Sequence, residues 1–214
     1  MNEAVDWKVK FPDLGVSVRL PRNISGQKYR IERAAAGLFA RHGYGSVGVA
    51  ELCAATDMGR GALYYHIKSK ESVLFEIAAG YMRTLNAGAA QILEAGVEPD
   101  VAIRALSRLF LRVMFEDRNE MTVCFRELHS CSVEKQAEIR ELHRDYQRFW
   151  EKAIQSGVDS GRFRNISKVE LKGLLGMYFY SFIWVNPFQS MSADQIADGF
   201  SEIVFSALTP RGIQ

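Results

Sequence analysis

The chain has 214 residues, is 48% hydrophobic and 24% charged, and carries a formal charge of +2. That is too apolar for a disordered chain and long enough for one domain or two modest ones. Three cysteines, odd in number and without Cys-x-x-Cys spacing, exclude a disulfide framework and a zinc-finger signature and fit a reducing cytoplasm. Lys8, Lys10, Asp13, Arg19 and Arg22 interrupt any apolar run at the start, so no export signal is expected. The uncharged stretch 173–193 is continuously apolar in character only to Val185, short of the roughly 20 residues a membrane span needs.

Charge is unevenly spread. Residues 19–71 hold nine Lys/Arg and four acids, a local charge of +5, against −1 for residues 1–18 and −2 for residues 72–214. A basic segment followed by a slightly acidic remainder points to one part that meets a polyanion and another that does not, although surface charge also fluctuates this far by chance.

Taken in order, residues 1–24 read as an N-terminal arm in which only Val16-Ser17-Val18-Arg19-Leu20 alternates like a strand. Arg19 and Arg22, near Pro21, either enter a minor groove or belong to an exposed or docked tail that touches nothing; the tail is the expectation. Ile31, Ala34, Ala35, Leu38 and Phe39 mark a helix stopping at Gly43, and Val49, Leu52 and Cys53 a shorter one. Ser69 caps a helix carrying Leu74, Ile77, Tyr81 and Leu85, and Pro99-Asp100 opens another. Ile139, Leu142, Tyr146, Phe149, Trp150 and Ala153 mark a long helix stopping near Gly157 or Gly161. Ser167-x-x-Glu170 and Ser192-x-x-Gln195 match the capping box and start two final helices, with Pro187 between them. The predicted fold is all-α with about nine helices: an N-terminal three-helix module, then a helical domain.

Residues 49–55 and 60–66 are two short helices joined by Thr56-Asp57-Met58-Gly59, the pattern of a helix-turn-helix whose second helix can enter a major groove about 12 Å wide. Met58 and Leu63 face Leu52, which leaves Arg60, Gly61, Ala62, Tyr64 and Tyr65 on the outward surface. An Arg fork can read guanine bidentately, and a phenol or an ammonium suits phosphate.

Gly43-Tyr44, then Val49-Ala50-Glu51-Leu52-Cys53-Ala54-Ala55, then Gly61-Ala62-Leu63-Tyr64-Tyr65-His66-Ile67-Lys68-Ser69-Lys70-Glu71 resemble the TetR family of one-component transcriptional repressors over residues 28–75. The resemblance implies that Arg60 contacts bases or phosphate, that Gly61 lets the helix backbone approach the duplex, and that Ala62 sits against a base edge. It implies that Tyr64, Tyr65 and His66 bond phosphate oxygens and that Lys70 is a phosphate-binding lysine. The chain departs from the family at Gly48 and Gly59, where Ser or Thr commonly caps a helix, and at Asp57, where a turn glycine is usual. Asp tolerates left-handed backbone better than most residues. On this reading residues 25–71 are the DNA-binding domain and residues 72–214 the effector-binding and dimerisation domain.

A single recognition helix reads few base pairs, so a homodimer on a palindromic double-stranded DNA operator is expected. The helix beginning near Ser167 is apolar nearly all round and needs cover on more than one side. The resemblance places the dimer interface on it and on the last helix, at Gly173, Met177, Tyr180, Trp184, Phe200 and Val204. Phe110, Met114, Phe125, His129, Tyr146, Trp150, Tyr178 and Phe182 are candidates to line an apolar effector cavity with a few polar handles. Residues 125–165 resemble family members that sense acyl-CoA or related lipid and sterol breakdown thioesters, with Arg126, Arg148, Lys152, Arg162 and Arg164 as candidate contacts for CoA phosphates or simply a solvated face. Cys124, His129 and Cys131 lack a fourth ligand and are expected in the core. No catalytic motif is present, so neither an enzyme nor a cofactor is expected. The expected function is a cytoplasmic, ligand-responsive repressor released by a hydrophobic small molecule. The rivals are an effector-independent DNA-binding protein and a lipid carrier or enzyme with a vestigial helix-turn-helix.

Overall fold

Helix periodicity governs most of the chain, and the helices begin and end where backbone chemistry permits. The computed structural model describes residues 7–20, 26–185 and 190–210, and among them it holds nine α-helices and a two-stranded sheet. The helices are α1 (Gln27–His42), α2 (Val49–Thr56), α3 (Arg60–His66), α4 (Lys70–Glu94), α5 (Pro99–Glu116), α6 (Arg118–Glu127), α7 (Val133–Asp159), α8 (Lys168–Tyr180) and α9 (Ala193–Leu208). Several expected stops and starts are present. Gly43 leaves α1 at φ 81°, and Asp57 ends α2 in the left-handed region at φ 53°. Ser69 Oγ accepts the Ser72 N–H at 3.0 Å before α4, and Pro99 opens α5, where its missing N–H costs no helix bond. Pro187 and Arg22 lie outside the described residues.

The chain divides into two compact units. One contains Leu20–Thr84 and Asp117–His143. Its core joins Ile31, Ala35 and Phe39 of α1 to Leu52 of α2, Leu63 of α3 and Leu74 and Ile77 of α4. Val123 of α6 and Cys131 complete that core, and α6 is a helix the periodicity reading did not resolve. Arg33 of α1 reaches Asp117 at 3.2 Å and Glu120 at 2.9 Å, and Arg126 of α6 donates to the Ala40 carbonyl at 3.3 Å. The three-helix module therefore has α6 packed along α1 as part of its own core.

The other unit contains Lys8–Arg19, Leu85–Glu116 and the chain from Arg144 on. Here the arm expectation is corrected. Strands β1 (Trp7–Phe11) and β2 (Val16–Leu20) pair into a hairpin that turns at Gly15, φ 65°. Val9, Phe11, Val16 and Val18 are buried, so the alternation seen in one strand has a partner that supplies the second half of a small sheet. Arg19 exchanges backbone hydrogen bonds with the Gln91 amide at 2.8 and 2.7 Å, which holds it in this unit rather than in a free arm.

Helices α5 and α9 pack antiparallel and are joined by a charge ladder. Arg104, Arg108 and Arg112 recur every fourth residue on α5 and meet Glu202, Asp198 and Asp194, spaced the same way on α9, at 2.8, 2.8 and 2.5 Å. Equal spacing on both helices puts each triad on one face, so a single register satisfies all three pairs. Asp13 of the hairpin turn adds a second carboxylate to Arg108 at 2.6 Å.

Capping boxes at Ser167 and Ser192 fix the starts of α8 and α9. Ser167 N–H donates to Glu170 at 2.7 Å, and Arg164 pairs with the same carboxylate at 2.6 Å, which lowers the Glu170 carboxyl from 4.5 to about 2. A lowered native value means the contribution is present above the ordinary carboxylate range and is lost as pH falls. Glu170→Gln is therefore expected to reduce the urea midpoint relative to wild type above pH 4.5, with the difference closing as pH approaches about 2. A difference that grows on acidification would contradict this assignment.

Candidate nucleic-acid interface and effector core

The turn between α1 and α2 is built by one ammonium. Lys70, at the start of α4, donates to the carbonyls of Tyr44 at 2.9 Å and Val47 at 2.8 Å, and its Nζ lies 4.1 Å from the Tyr44 ring centroid. Phe39 meets Tyr44 edge-on at 5.2 Å, which fixes the ring under the lysine. Lys70 thus positions the chain entering α2 and keeps one N–H for another acceptor. In the sequence Tyr44 carries no assigned role; its signal is an aromatic directly after the helix-stopping glycine. Glu51 likewise carries no assigned role there. It takes the Gly48 N–H at 2.9 Å and supplies half of a capping box where the cap residue has no side chain.

Leu52 and Leu63, both fully buried, hold α2 against α3. With Leu63 and Ile67 turned inward, Arg60, Gly61 and Ala62 are exposed, and Tyr64 and Tyr65 stand 46% and 87% accessible. The two phenols stand side by side in water and offer adjacent aromatic surface to a partner. His66 is half-buried, edge-on to Tyr65 at 5.2 Å, and Lys68 follows it exposed. Nothing lies within 4 Å of where a Cβ on Gly61 would sit. An α-helix with its side chains is about 10–12 Å across, so α3 can present its exposed face inside a major groove about 12 Å wide.

Among the expected effector residues, Phe110, Tyr146, Trp150 and Tyr178 come together in the second unit. Ring centroids lie 6.1 Å apart for Phe110–Tyr146, 5.6 Å for Phe110–Tyr178 and 5.0 Å for Trp150–Tyr178. Met114 and Phe182 are buried in the same unit. Phe125 and His129 are not part of this group. They lie in the other unit on exposed surface, Phe125 47% accessible, because α6 turns Met121, Val123 and Cys124 inward instead. A cleft of about 280 Å³ occurs in that first unit, lined by Tyr29, Glu32, Glu76, Tyr81 and Thr84 among others, more polar than the cavity expected. Burial raises the Glu32 carboxyl within it. Of the arginines considered for phosphate, Arg148 pairs with Asp145, Arg162 with Glu98 and Asp100, and Arg164 with Glu170. Burial lifts the Cys124 thiol to about 11, as expected of a core cysteine.

The expected dimer residues divide in two. Gly173 and Tyr180 are exposed on one face of α8 with Val169 and Gly176, Trp184 is exposed just beyond, and Met177 is half-buried. Phe200 and Val204 are a correction. Both are buried in their own subunit, Phe200 against Tyr178 at 5.1 Å and Trp184 at 5.8 Å, because the stripe they belong to covers α8 and α5. The outward apolar residue of α9 is Ile203.

Two family models match. Residues 31–77 match the tetR family of bacterial regulatory proteins, and residues 91–208 match the tetracyclin repressor-like C-terminal domain. The chain belongs to the TetR family. It is 26% identical over 187 residues to the HTH-type transcriptional repressor KstR2 of Rhodococcus jostii, covering 86% of this chain and 92% of that protein. The structure of the TetR family regulator PfmR from Thermus thermophilus matches with a TM-score of 0.78 at 26% identity, over 85% of this chain and 100% of that one. AibR, solved in complex with isovaleryl coenzyme A and operator DNA, matches with a TM-score of 0.73 at 26% identity, over 84% and 98%. In TetR-family terms, residues 31–77 span the helix-turn-helix and Lys70, and residues 91–208 span the aromatic cluster and the exposed face of α8. Among the described residues no helix is long and apolar enough to cross a membrane.

Proposed function

We propose that the protein is a cytoplasmic transcriptional repressor that binds a palindromic operator as a homodimer and is released by a hydrophobic small molecule. The observation that carries this reading is the exposed face of α3, where Arg60, Tyr64 and Tyr65 project from a helix anchored through Leu63. Arg60 and Ala62 read base edges, while Tyr64, Tyr65, His66 and the spare N–H of Lys70 hold phosphates. Residues 25–71 supply this module and residues 72–214 the effector and dimer functions.

Subunits pair through the face of α8 that carries Val169, Gly173, Gly176 and Tyr180, extended by Trp184 and by Ile203 of α9. Spacings of four, three and four residues place the first four on one side of a helix, and the glycines permit close approach. The effector occupies the cluster of Phe110, Met114, Tyr146, Trp150, Tyr178 and Phe182. AibR, a relative in fold and sequence, was captured with an acyl thioester, which supports an acyl-CoA-type catabolite here. A ligand that binds the DNA-incompetent state better lowers operator affinity by that difference, roughly 1–3 kcal/mol or 5–150-fold.

The test combines operator selection from random duplexes with sedimentation of the free protein. A palindrome and a two-subunit species are expected. Tyr64→Ala is expected to weaken operator binding about tenfold or more, the loss of one or two phosphate or base contacts. Gly176→Leu should give monomers that fold normally, since nothing in the subunit lies within 4 Å of that position. A selected site without dyad symmetry, or a Gly176→Leu protein that stays dimeric, would end the reading.

A further inference from the structure

The aromatic cluster holds two polar groups that the fold does not use. Tyr146 and Trp150 are one helical turn apart on α7 and both are 0% exposed. Among the described residues, neither the Tyr146 hydroxyl nor the Trp150 indole N–H has a hydrogen-bond partner. The indole does influence the hydroxyl, but as a near neighbour without hydrogen-bond geometry. Tyr178, in ring contact with Trp150, shows the contrast. Ser107 spends its proton on the Ile103 carbonyl at 2.9 Å, so the Tyr178 hydroxyl donates to Ser107 Oγ at 2.6 Å and is satisfied. A buried phenol can be bonded in this core, and one was; the other two donors were left open.

Leaving a buried donor without an acceptor is costly, and replacing such a group by an apolar one of the same shape is often neutral or stabilising. Two such donors on one face of one helix therefore call for a function that needs them. The rings around them are Phe110, Phe179 and Tyr178, at centroid distances of 6.1, 6.0 and 5.0 Å. Two neutral donors among aromatic rings suit an acceptor that carries no full charge, because an unpaired carboxylate would lose its hydration there.

We infer that Tyr146 and Trp150 are the recognition pair for the neutral carbonyl oxygen of a hydrophobic ligand, a ketone or a thioester. The inference rests on the effector reading proposed above and deepens it: the aromatic cluster supplies affinity, and the two donors select for a carbonyl over a plain hydrocarbon and against a carboxylate. A site built to bond a polar atom rejects the analogue that lacks it, because its donors then stay unpaired.

Matched probes separate these properties. Calorimetric titration would compare 1-tetralone with tetralin, S-hexyl thioacetate with ethyl hexyl sulfide, and tetralin carboxylate with both hydrocarbon-like members. Wild type is expected to prefer the carbonyl member of at least one pair by about tenfold, and the pair showing it separates ketone from thioester selection. Tyr146→Phe should shrink that preference to within about threefold while still binding tetralin, and should melt no lower than wild type. Equal binding within both pairs, tighter binding of the carboxylate, or a preference surviving in the Tyr146→Phe/Trp150→Phe double variant would overturn the inference. So would a lower melting temperature for Tyr146→Phe, which would mean the hydroxyl is already satisfied by a buried water. If no probe binds at all, the effector reading itself falls; binding without carbonyl preference removes only the donor assignment.

Discussion

Lys70→Met should lower unfolding free energy by about 3 kcal/mol and weaken operator binding at least about tenfold. Its ammonium makes two charge-assisted bonds to carbonyls, at 2.9 and 2.8 Å, each worth about 1.5–3 kcal/mol. Solvent partly restores the lost partners, since Tyr44 is only half-buried, which keeps the total at the low end of the simple sum. The two carbonyls belong to the segment entering α2, so their release loosens the helix-turn-helix at its base rather than at the groove. Urea unfolding and operator titration separate these effects. A variant of wild-type stability with weaker DNA binding would make Lys70 a phosphate contact alone. Unchanged values in both would remove it from the interface and from the scaffold.

Gly157→Ala is expected to destabilise the second unit by about 2–3 kcal/mol. A Cβ there would sit 1.9 Å from Phe163 Cδ2, 2.4 Å from Cε2 and 2.6 Å from Cγ, so the ring must leave. The backbone around Phe163 is held on both sides. Arg162 and Phe163 N–H groups donate to the Gly157 carbonyl at 2.9 and 3.0 Å, and Arg164 N–H donates to the Leu208 carbonyl at 2.8 Å. Relief must come either from turning the ring into water, which forfeits roughly 2 kcal/mol of burial, or from breaking those bonds. The helix gains at most about 1 kcal/mol from exchanging glycine for alanine, too little to reverse the sign. Phe163 also packs on Phe205 of α9, 6.2 Å between centroids, so the loss should spread to that helix. Thermal denaturation would check this against Gly80→Ala in α4, outside the proposed dimer face, where nothing lies within 4 Å and stability should hold or rise.

The helical class, most helix ends and the helix-turn-helix were determined by the sequence alone, because they depend on local chemistry. Caps at Ser69, Ser167 and Ser192, the stop at Gly43 and the left-handed turn at Asp57 involve residues at most a few positions apart. The outward face of α3 was readable for the same reason: Leu63 and its neighbours alternate at helical spacing within seven residues.

Tertiary structure alone decided which apolar faces meet. Phe200 and Val204 form a stripe that suits a subunit core or a dimer seam equally, and only the position of Tyr178 shows that it is core. Residues 118–127 carry too many polar side chains to announce a helix, yet α6 closes the core of the DNA-binding unit through Val123. The strand-like stretch 16–20 became a hairpin because its partner, Trp7–Phe11, supplies hydrogen bonds that no local rule can assign. Likewise the arginines of α5 and the acids of α9 are each periodic in the sequence, but about ninety residues separate them, and register across such a distance is set by packing rather than by spacing.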